Sequence, residues 1–321
     1  MKNAARMRAI TTSGLIVGMV FVCGGATCAQ RRPSLAFQPP PTVLAATPGV
    51  ADVVAAVNRT SSIRELSTNN ASIEVLSMPG TPQLSSSSMS LRRDREFRLR
   101  AGLPLVMSSV LDMGSNQEVF WFEVPEGISK VLYYARHDQY RDQLDRAVLP
   151  VDPSWVMDAI GLVQLDPTTV VAGPVLRADG KLEVRNTLAM PTGVFQRVCY
   201  IDATAGHVTD QFLFDPNGKE IARSSATNHE FFPDQQCALP HTVQLRLSPA
   251  VGPPLEMKID VGNYAVNQIL SGDPNLFVMP QGASSAVDLT TLTNGYLPVA
   301  PVGYQPAGEL GPLPYRGVVQ P

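Results

Sequence analysis

The feature that most constrains the fold of this chain is a two-residue alternation of apolar and polar side chains. Residues 255–261 alternate aliphatic with charged side chains, and similar patterns cover 182–190, 208–214 and 242–247. Successive side chains of a β-strand point to opposite faces, so each of these segments has one apolar and one polar face. Antiparallel strands with one face in solvent have this pattern. The alternation therefore predicts a curved antiparallel sheet.

Glycine and proline contents agree with a β-rich fold. The 321 residues include 24 glycines and 28 prolines, too many chain breaks for a helical bundle. The hydrophobic fraction of 44% is too high for a disordered chain. The clearest turn is Asp-Pro-Asn-Gly at 215–218, since proline pre-sets one turn dihedral and glycine accepts a positive φ. Residues 114–116 and 205–206 are two further expected hairpin tips.

Two segments have helical rather than strand spacing. Apolar residues at 53, 54 and 57 predict an amphipathic helix at the start of the folded domain. Pro153 at a first turn, apolar residues at 155, 156, 159 and 160, and Gly161 at the end predict a short middle helix. The predicted fold class is therefore mainly β (α+β), one curved antiparallel sheet with an N-terminal helix and a short middle helix.

Two arginines interrupt the pattern near residue 94. The odd-numbered residues from Met89 to Ala101 are apolar except Arg93 and Arg95, which predicts one long strand with both arginines on its apolar face. A buried arginine needs a carboxylate partner. An acidic ligand headgroup is one such partner, and exposure at a sheet edge is the other explanation.

The two ends of the chain differ from its middle. Residues 1–29 combine a basic start, a short apolar core and small residues, which are the parts of a secretory signal peptide. A Pro-rich linker is expected at 30–50, the folded domain at 51–285 and a Pro/Gly-rich tail at 286–321. The protein is therefore expected to be exported.

Three of the four cysteines have more than one interpretation. Cys28 follows small residues after the apolar core and is a candidate for lipidation, while plain cleavage near Ala29 is the alternative. In an oxidising compartment Cys199 and Cys237 are a candidate disulfide, and two separately buried thiols are the alternative.

No established catalytic or metal-binding pattern is present in the sequence. His229, Cys237 and His241 are spaced unlike the common zinc patterns. Neither a metal nor a cofactor is therefore expected, and the chain is expected not to be an enzyme. The alternative is an active site around His137 or His241 that lacks a recognisable motif. A net charge of −3 and the lack of a long basic run argue against nucleic acid as a partner.

An aromatic cluster allows two interpretations. Phe120, Trp121 and Phe122 are consecutive, so they place large apolar surfaces on both faces of one strand. Core packing is one interpretation. The other is a ligand cavity, because a curved sheet with a partly filled apolar concave face suits an acyl chain.

Three stretches of the sequence carry a family resemblance. They are the charged segment 92–99, the segment 112–116 that leads into 120–122, and the series from 200 through 214–218 and 239–241 to 255–259. Together with one leading helix and a long run of hairpins, they resemble the lipoprotein-carrier and lipoprotein-sorting family of the bacterial envelope. That family folds as an unclosed, Lol-type β-barrel, lidded by helices, that holds acyl chains in an apolar cavity. The Pro-rich linker and the tail depart from the family, and a lipid anchor suits a fixed receptor better than a shuttling carrier.

The resemblance and the residues together predict a binding protein. We expect an exported, non-enzymatic envelope protein that binds an acyl lipid or a lipoprotein in an apolar half-barrel cavity. The resemblance implies that it is located in the periplasm or the outer-membrane-associated cell envelope. Other envelope proteins are further candidate partners, and membrane association is expected only through an N-terminal lipid anchor. The alternative is a structural or scaffold envelope protein whose sheet core is fully packed. The candidate cavity residues are Leu91, Phe97, Leu99, Trp121 and Phe212.

Overall fold

The computed structural model describes residues 37–77, 82–103, 109–126, 129–143, 154–249, 254–281, 283 and 285–292. The predicted signal peptide, Cys28 and most of the predicted tail lie outside these ranges. None of the helices in the described ranges is long and apolar enough to cross a membrane.

The described residues form fifteen strands and three short α-helices. The strands are β1 Glu65–Val75, β2 Leu84–Arg92, β3 Glu96–Gly102, β4 Ser109–Ser115, β5 Val119–Glu126, β6 Ser129–Arg136, β7 Val170–Leu176, β8 Lys181–Met190, β9 Gly193–Asp202, β10 Val208–Phe214, β11 Glu220–Phe232, β12 Cys237–Leu247, β13 Leu255–Val261, β14 Ala265–Val266 and β15 Ser285–Asp288. The α-helices are α1 Val50–Val57, α2 His137–Arg141 and α3 Ser154–Met157. Single helical turns are Asn58–Ser62, Asp158–Leu162, Pro167–Thr169 and Leu289–Thr291.

All fifteen strands belong to one sheet. Its order is β15-β6-β5-β4-β3-β2-β1-β13-β12-β11-β10-β9-β8-β7, and β14 pairs with part of β1. Every pairing is antiparallel except that of β15 with β6. The first and last strands of this order do not pair with each other, so the curved sheet is an unclosed barrel, as predicted.

The inner, concave face of the sheet carries two apolar clusters. The larger one spans β1–β6 and β11–β13 and includes Trp155 and Ile160 from the middle helical segment. The smaller one joins Val53, Val54 and Val57 of α1 to residues of β8, β9 and β10. Both predicted helices therefore lie on the sheet, and each covers a different part of it.

The expected helices and two of the expected turns are confirmed. α1 begins at Val50, and α3 continues into the turn Asp158–Leu162. The turns at 215–218 and 205–206 each join two consecutive strands, with Gly218 and Gly206 at positive φ. The expected tip at 114–116 lies slightly later in the chain, because Gly114 and Ser115 still belong to β4.

The expectation of one long strand from 89 to 101 is wrong. β2 ends at Arg92 and β3 begins at Glu96, so the segment is a hairpin. The apolar residues stay on odd positions through the turn because residues paired across an antiparallel hairpin share a face, as Met89 and Leu99 do. Arg93 therefore lies in the turn, and its guanidinium finds backbone carbonyls instead of a carboxylate.

The described part of the predicted linker packs on the sheet. The backbone N–H groups of Val43 and Leu44 donate to the carbonyl of Thr204, at 2.7 and 2.9 Å. Phe231 donates its backbone N–H to the Gln38 carbonyl. At the other end of the domain, β15 extends the sheet to Asp288, past the predicted boundary at residue 285.

Candidate functional site

The concave face encloses an apolar cavity with an empty volume of about 830 Å³, its open mouth included. The cavity is lined by residues of β3, β4 and β5, of β12 and β13, and of α3. These residues are Phe97, Leu99, Met113, Gly114, Ser115, Phe120, Trp121, Phe122, Val156, Leu245, Leu247, Leu255, Met257 and Ile259.

Curvature of the sheet creates this cavity. Between β3 and β13 lie β2 and β1, so a flat sheet would separate the two outer strands by three spacings of about 4.8 Å. Phe97 on β3 and Met257 on β13 nevertheless line the same space. The sheet therefore bends around the cavity, with β3–β5 forming one wall and β12–β13 the opposite wall.

The middle helical segment covers the cavity, and polar contacts fix its position. Val156 of α3 lines the cavity, while Trp155 and Ile160 are buried in the core. The Arg197 guanidinium on β9 donates to the Asp158 carboxylate at 2.8 Å and to the carbonyl of Gln164 at 2.8 Å. Arg197 is 5% exposed, whereas the Asp158 side chain is 26% exposed, so the guanidinium is the part of this ion pair that is shielded from solvent.

The end of this segment is tied to the α1 side of the molecule. Arg93 donates from Nε to the carbonyl of Ile63 at 2.8 Å, and from Nη2 to that of Thr60 at 3.0 Å. A longer contact of 3.4 Å joins Nη2 to the carbonyl of Leu162. Burial lowers the pKa of Arg93 from its ordinary value. One guanidinium thus connects the cover of the cavity to the segment that follows α1.

Gly161 shapes the turn at which the cover ends. Its φ is 99°, in the region that favours glycine. A Cβ at this position would lie 2.7 Å from Cδ of Pro240 on β12. Both conformation and contact therefore require glycine here.

The outer face of β3–β5 carries a buried charged pair instead of a cavity. Arg98 and Asp112 form an ion pair, and both side chains are less than a tenth exposed. The Arg98 guanidinium also donates to the carbonyls of Leu276 and Val278, so the segment around them covers this face. The indole of Trp121 lies 5.1 Å from the Arg98 guanidinium, above Gly114 of the neighbouring strand.

The structure brings together two of the five candidate cavity residues on the inner face. Phe97 and Leu99 line the cavity with their side chains. Trp121 belongs to the cavity wall, but its indole packs on the outer face beside Arg98. Leu91 is fully buried in the larger core cluster and is not among the lining residues.

Phe212 lies away from the cavity, on the outer face, where its ring centroid is 5.1 Å from that of Tyr200. The register of β10 against β9 shifts between Val208 and Asp210. A β-bulge of this kind exchanges the two faces of the residues that follow it. As a result Gln211 and Leu213 are the buried residues, and the alternation read from Val208 onward assigned Phe212 to the wrong face.

The sequence reasoning did not select the opposite wall of the cavity. Leu245, Leu247, Leu255, Met257 and Ile259 all belong to alternating segments that were assigned to strands. Their inward-facing positions follow from that alternation. Which inward-facing residues border empty space depends on sheet order and curvature, for which the sequence contains no local signal.

Cys199 and Cys237 are free, buried thiols, so the disulfide interpretation is corrected in favour of its alternative. Cys199 lies on β9 and Cys237 on β12, with β10 and β11 between them. Three strand spacings of about 4.8 Å exceed the ~7 Å Cα separation that a disulfide tolerates. Burial raises the pKa of each thiol to about 11.

The histidines outside the main cavity are held by neighbouring groups. His241 contacts the Val261 carbonyl through Nδ1 at 2.6 Å and the Glu230 carboxylate through Nε2 at 2.8 Å. The His207 and His229 rings pack at a tilt of 36° with their centroids 3.9 Å apart, and both residues border a second cavity beneath residues 40–43. In the part of the chain that the structure describes, no group of three His, Cys, Asp or Glu side chains is arranged to hold a metal.

An unclosed antiparallel barrel with an apolar cavity under a short helix is the class of structure defined by these observations. No family model matches the chain, and no curated protein matches it. Among solved structures, the chain is similar to a domain described as an outer membrane lipoprotein-sorting protein from Vibrio parahaemolyticus, with a TM-score of 0.46 and 7% identity. That match covers 70% of this chain and 96% of the other.

Two further solved structures are similar to this chain. A LolA superfamily protein from Nitrosomonas europaea has a TM-score of 0.38 and 8% identity, over 70% of this chain and 96% of that one. A DUF1329 family protein from Desulfovibrio piger has a TM-score of 0.42 and 10% identity, over 69% and 93%. At these identities no residue of this chain is matched to a functional residue of theirs.

Proposed function

We propose that this chain is an exported, non-enzymatic envelope protein that binds the acyl chain of a lipid or lipoprotein in its apolar cavity. The observation that carries the proposal is the cavity between β3–β5 and β12–β13, whose walls are almost entirely hydrocarbon. A scaffold protein with a fully packed sheet would not need such a space, since protein cores are close-packed.

Burial of hydrocarbon supplies the free energy of binding in this proposal. Each methylene group transferred from water contributes about 0.8 kcal/mol, so ten of them contribute about 8 kcal/mol before the costs of association. A dissociation constant of 1 μM corresponds to about 8 kcal/mol. Chains of more than ten carbons are therefore needed for micromolar binding once those costs are included.

The export part of the proposal rests on residues 1–29, which have the composition of a signal peptide. Mass analysis of the protein from its native envelope tests it. Cleavage near Ala29 is expected to remove the signal peptide. If Cys28 is lipidated, cleavage falls before it instead, so residues 1–27 are lost and Cys28 carries an added lipid mass. A protein that retains residues 1–29 would contradict export by this route.

Displacement of the neutral dye N-phenyl-1-naphthylamine by fatty acids tests the cavity as the binding site. Leu245→Trp places a large side chain in the cavity and is expected to lower fatty-acid affinity at least ten-fold without unfolding the protein. Val194→Trp is the matched control, because Val194 is 59% exposed and is not among the residues that line the cavity. Equal loss of binding in both variants, or none in either, would contradict the proposed site.

Co-purifying lipid provides an independent test. Mass spectrometry of extracts of the native protein is expected to detect an acyl lipid or lipoprotein, present in the parent protein and depleted in Leu245→Trp. A native protein without bound acyl chains that also fails to bind the dye would favour the scaffold alternative.

A further inference from the structure

One polar side chain interrupts the hydrocarbon lining of the cavity. Among the described lining residues, Ser115 on β4 carries the only hydroxyl and none is charged. Ser115 pairs with Phe97 on β3 and with Phe120 on β5, so its side chain shares their inner face. It is 6% exposed. An isolated polar group in an apolar pocket is the kind of group that orients a ligand.

The neighbours of Ser115 determine the direction in which its hydroxyl can donate. Nε2 of His137 lies 3.0 Å from the carbonyl oxygen of Asn116. A carbonyl only accepts hydrogen bonds, so this nitrogen carries its hydrogen. The Ser115 hydroxyl, 3.2 Å from the same nitrogen, therefore cannot donate to it, and its oxygen can only share that one hydrogen with the Asn116 carbonyl.

The remaining protein acceptor is a weak one. The Ser115 hydroxyl lies 3.5 Å from the carbonyl oxygen of Asn116, at the limit of a hydrogen bond. The hydroxyl hydrogen therefore has no strong partner among these groups, while its oxygen is held by His137. This arrangement leaves a hydrogen-bond donor at the cavity wall.

The surrounding structure holds this donor in place. The His137 ring lies at the start of α2, whose first backbone N–H donates to the carbonyl of Glu118 at 3.0 Å. The ring packs 5.6 Å from Phe120, which in turn contacts Tyr140 edge to face at 4.9 Å. Donors fixed before a ligand arrives lose little freedom on binding.

We propose that Ser115 is the headgroup contact of the cavity and donates a hydrogen bond to the carbonyl or carboxylate oxygen of the bound acyl chain. This assignment rests on the proposed acyl-binding function and goes beyond it by specifying which kind of headgroup the cavity selects. The head accepts a hydrogen bond, as a fatty acid or a fatty ester does, whereas an alkylammonium head only donates. The hydrocarbon then lies against Leu245, Leu247 and Leu255 on the opposite wall.

Three ligands of equal chain length test this polarity: dodecanoic acid, methyl dodecanoate and dodecylamine, each measured by displacement of N-phenyl-1-naphthylamine. In Ser115→Ala the preference for the acid or ester over the amine is expected to fall about 3- to 10-fold, which is the size of one lost hydrogen bond. A loss for both acid and ester identifies a carbonyl oxygen as the shared acceptor. A loss for the acid alone identifies the free carboxylate.

Two outcomes separate this inference from the proposed function. If the chains bind and Ser115→Ala leaves the ratio of acid to amine affinities unchanged, the headgroup assignment is wrong while acyl binding stands. If none of the chains displaces the dye from the wild-type protein, the proposed function fails too.

Two further variants protect the test from effects on folding. Ser87→Ala is the matched control, since Ser87 is also buried but donates to the Leu84 carbonyl at 2.9 Å, outside the cavity lining. Ser115→Cys preserves the side-chain size but is a weak donor, so it is expected to reduce the preference as Ser115→Ala does. Retention of full preference by Ser115→Cys would overturn the assignment.

Discussion

Two helices cover the inner face of the sheet with different results. α1 presents Val53, Val54 and Val57 to β8–β10, and all three are buried in one apolar cluster. α3 is only four residues long and brings Val156 to a space that it does not fill. Different strands of one alternating sheet thus carry a packed apolar cluster under α1 and an apolar cavity under α3. The difference depends on how much apolar side-chain volume the covering helix supplies.

The largest difference between the two regions is expected in the free energy of unfolding that is lost when a buried side chain is truncated to alanine. Ile201 is fully buried in the smaller apolar cluster, which contains α1 and is called the α1 cluster below. Ile201→Ala is therefore expected to lower the free energy of unfolding by about 3–4 kcal/mol. Leu245 already borders empty space, so Leu245→Ala is expected to cost about 2 kcal/mol or less. Urea unfolding of both variants measures the difference. Equal losses would mean that the cavity region is packed as tightly as the α1 region.

A second comparison tests the turn that ends the cavity cover. Gly161→Ala is expected to destabilise the protein by about 2–3 kcal/mol, because it adds a clash with Pro240 to the cost of a positive φ. Gly218→Ala is the control, since Gly218 also has a positive φ but has no atom within 4 Å of an added Cβ. It should cost about 1 kcal/mol. Thermal melting that ranks the two variants equally would contradict the Pro240 contact.

The α1 side should also be the more sensitive to acid. Burial, and then the neighbouring His207, lower the pKa of His229 from 6.5 to about 3. The unfolded chain therefore binds a proton that the folded protein excludes, so stability is complete above pH 6.5 and falls as the pH drops toward 3.

Between pH 6.5 and pH 5 the loss from His229 is at most about 2 kcal/mol, at about 1.4 kcal/mol per pH unit. His229→Gln is expected to show a correspondingly shallower fall in urea unfolding over this range. A slope identical to that of the wild-type protein would mean that His229 is not buried as described.

The smallest effect is expected from reductant. Cys199 belongs to the α1 cluster and Cys237 to the larger cluster, and both are free thiols. Dithiothreitol should therefore leave the melting temperature unchanged, and Ellman's reagent should react with both thiols only after unfolding. A disulfide closing this loop would instead contribute about 3–4 kcal/mol, so a large drop in melting temperature on reduction would show that the two regions are cross-linked.

Much of the fold was predictable because its local signals agree with its tertiary structure. Alternation located β8, β12 and β13, and proline and glycine located the turn at 215–218. The errors arose where periodicity continues through a change in structure. The odd positions from Met89 to Ala101 remain in phase across a hairpin, and the bulge after Val208 exchanges faces without any change in composition.

The candidate site was predictable only in part. Phe97 and Leu99 follow from the pattern of their own strand. Ser115 was assigned to a hairpin tip, and its role at the cavity wall depends on Phe97, Phe120 and His137, which lie at different positions along the chain. The direction of the hydrogen bonds at Ser115 follows only from the distances among its hydroxyl, the His137 ring and the Asn116 carbonyl.

The sequence by itself determined the antiparallel strands, the inner and outer faces of most of them and the two covering helices, because these depend on neighbours two to four residues apart. Only the tertiary structure decided that β13 pairs with β1, so that the sheet bends and β12–β13 face β3–β5. The cavity forms because strands distant in sequence curve toward each other, and the four-residue helix α3 between them does not fill the space that they enclose. Its existence therefore depends on long-range packing, which residue periodicity does not encode.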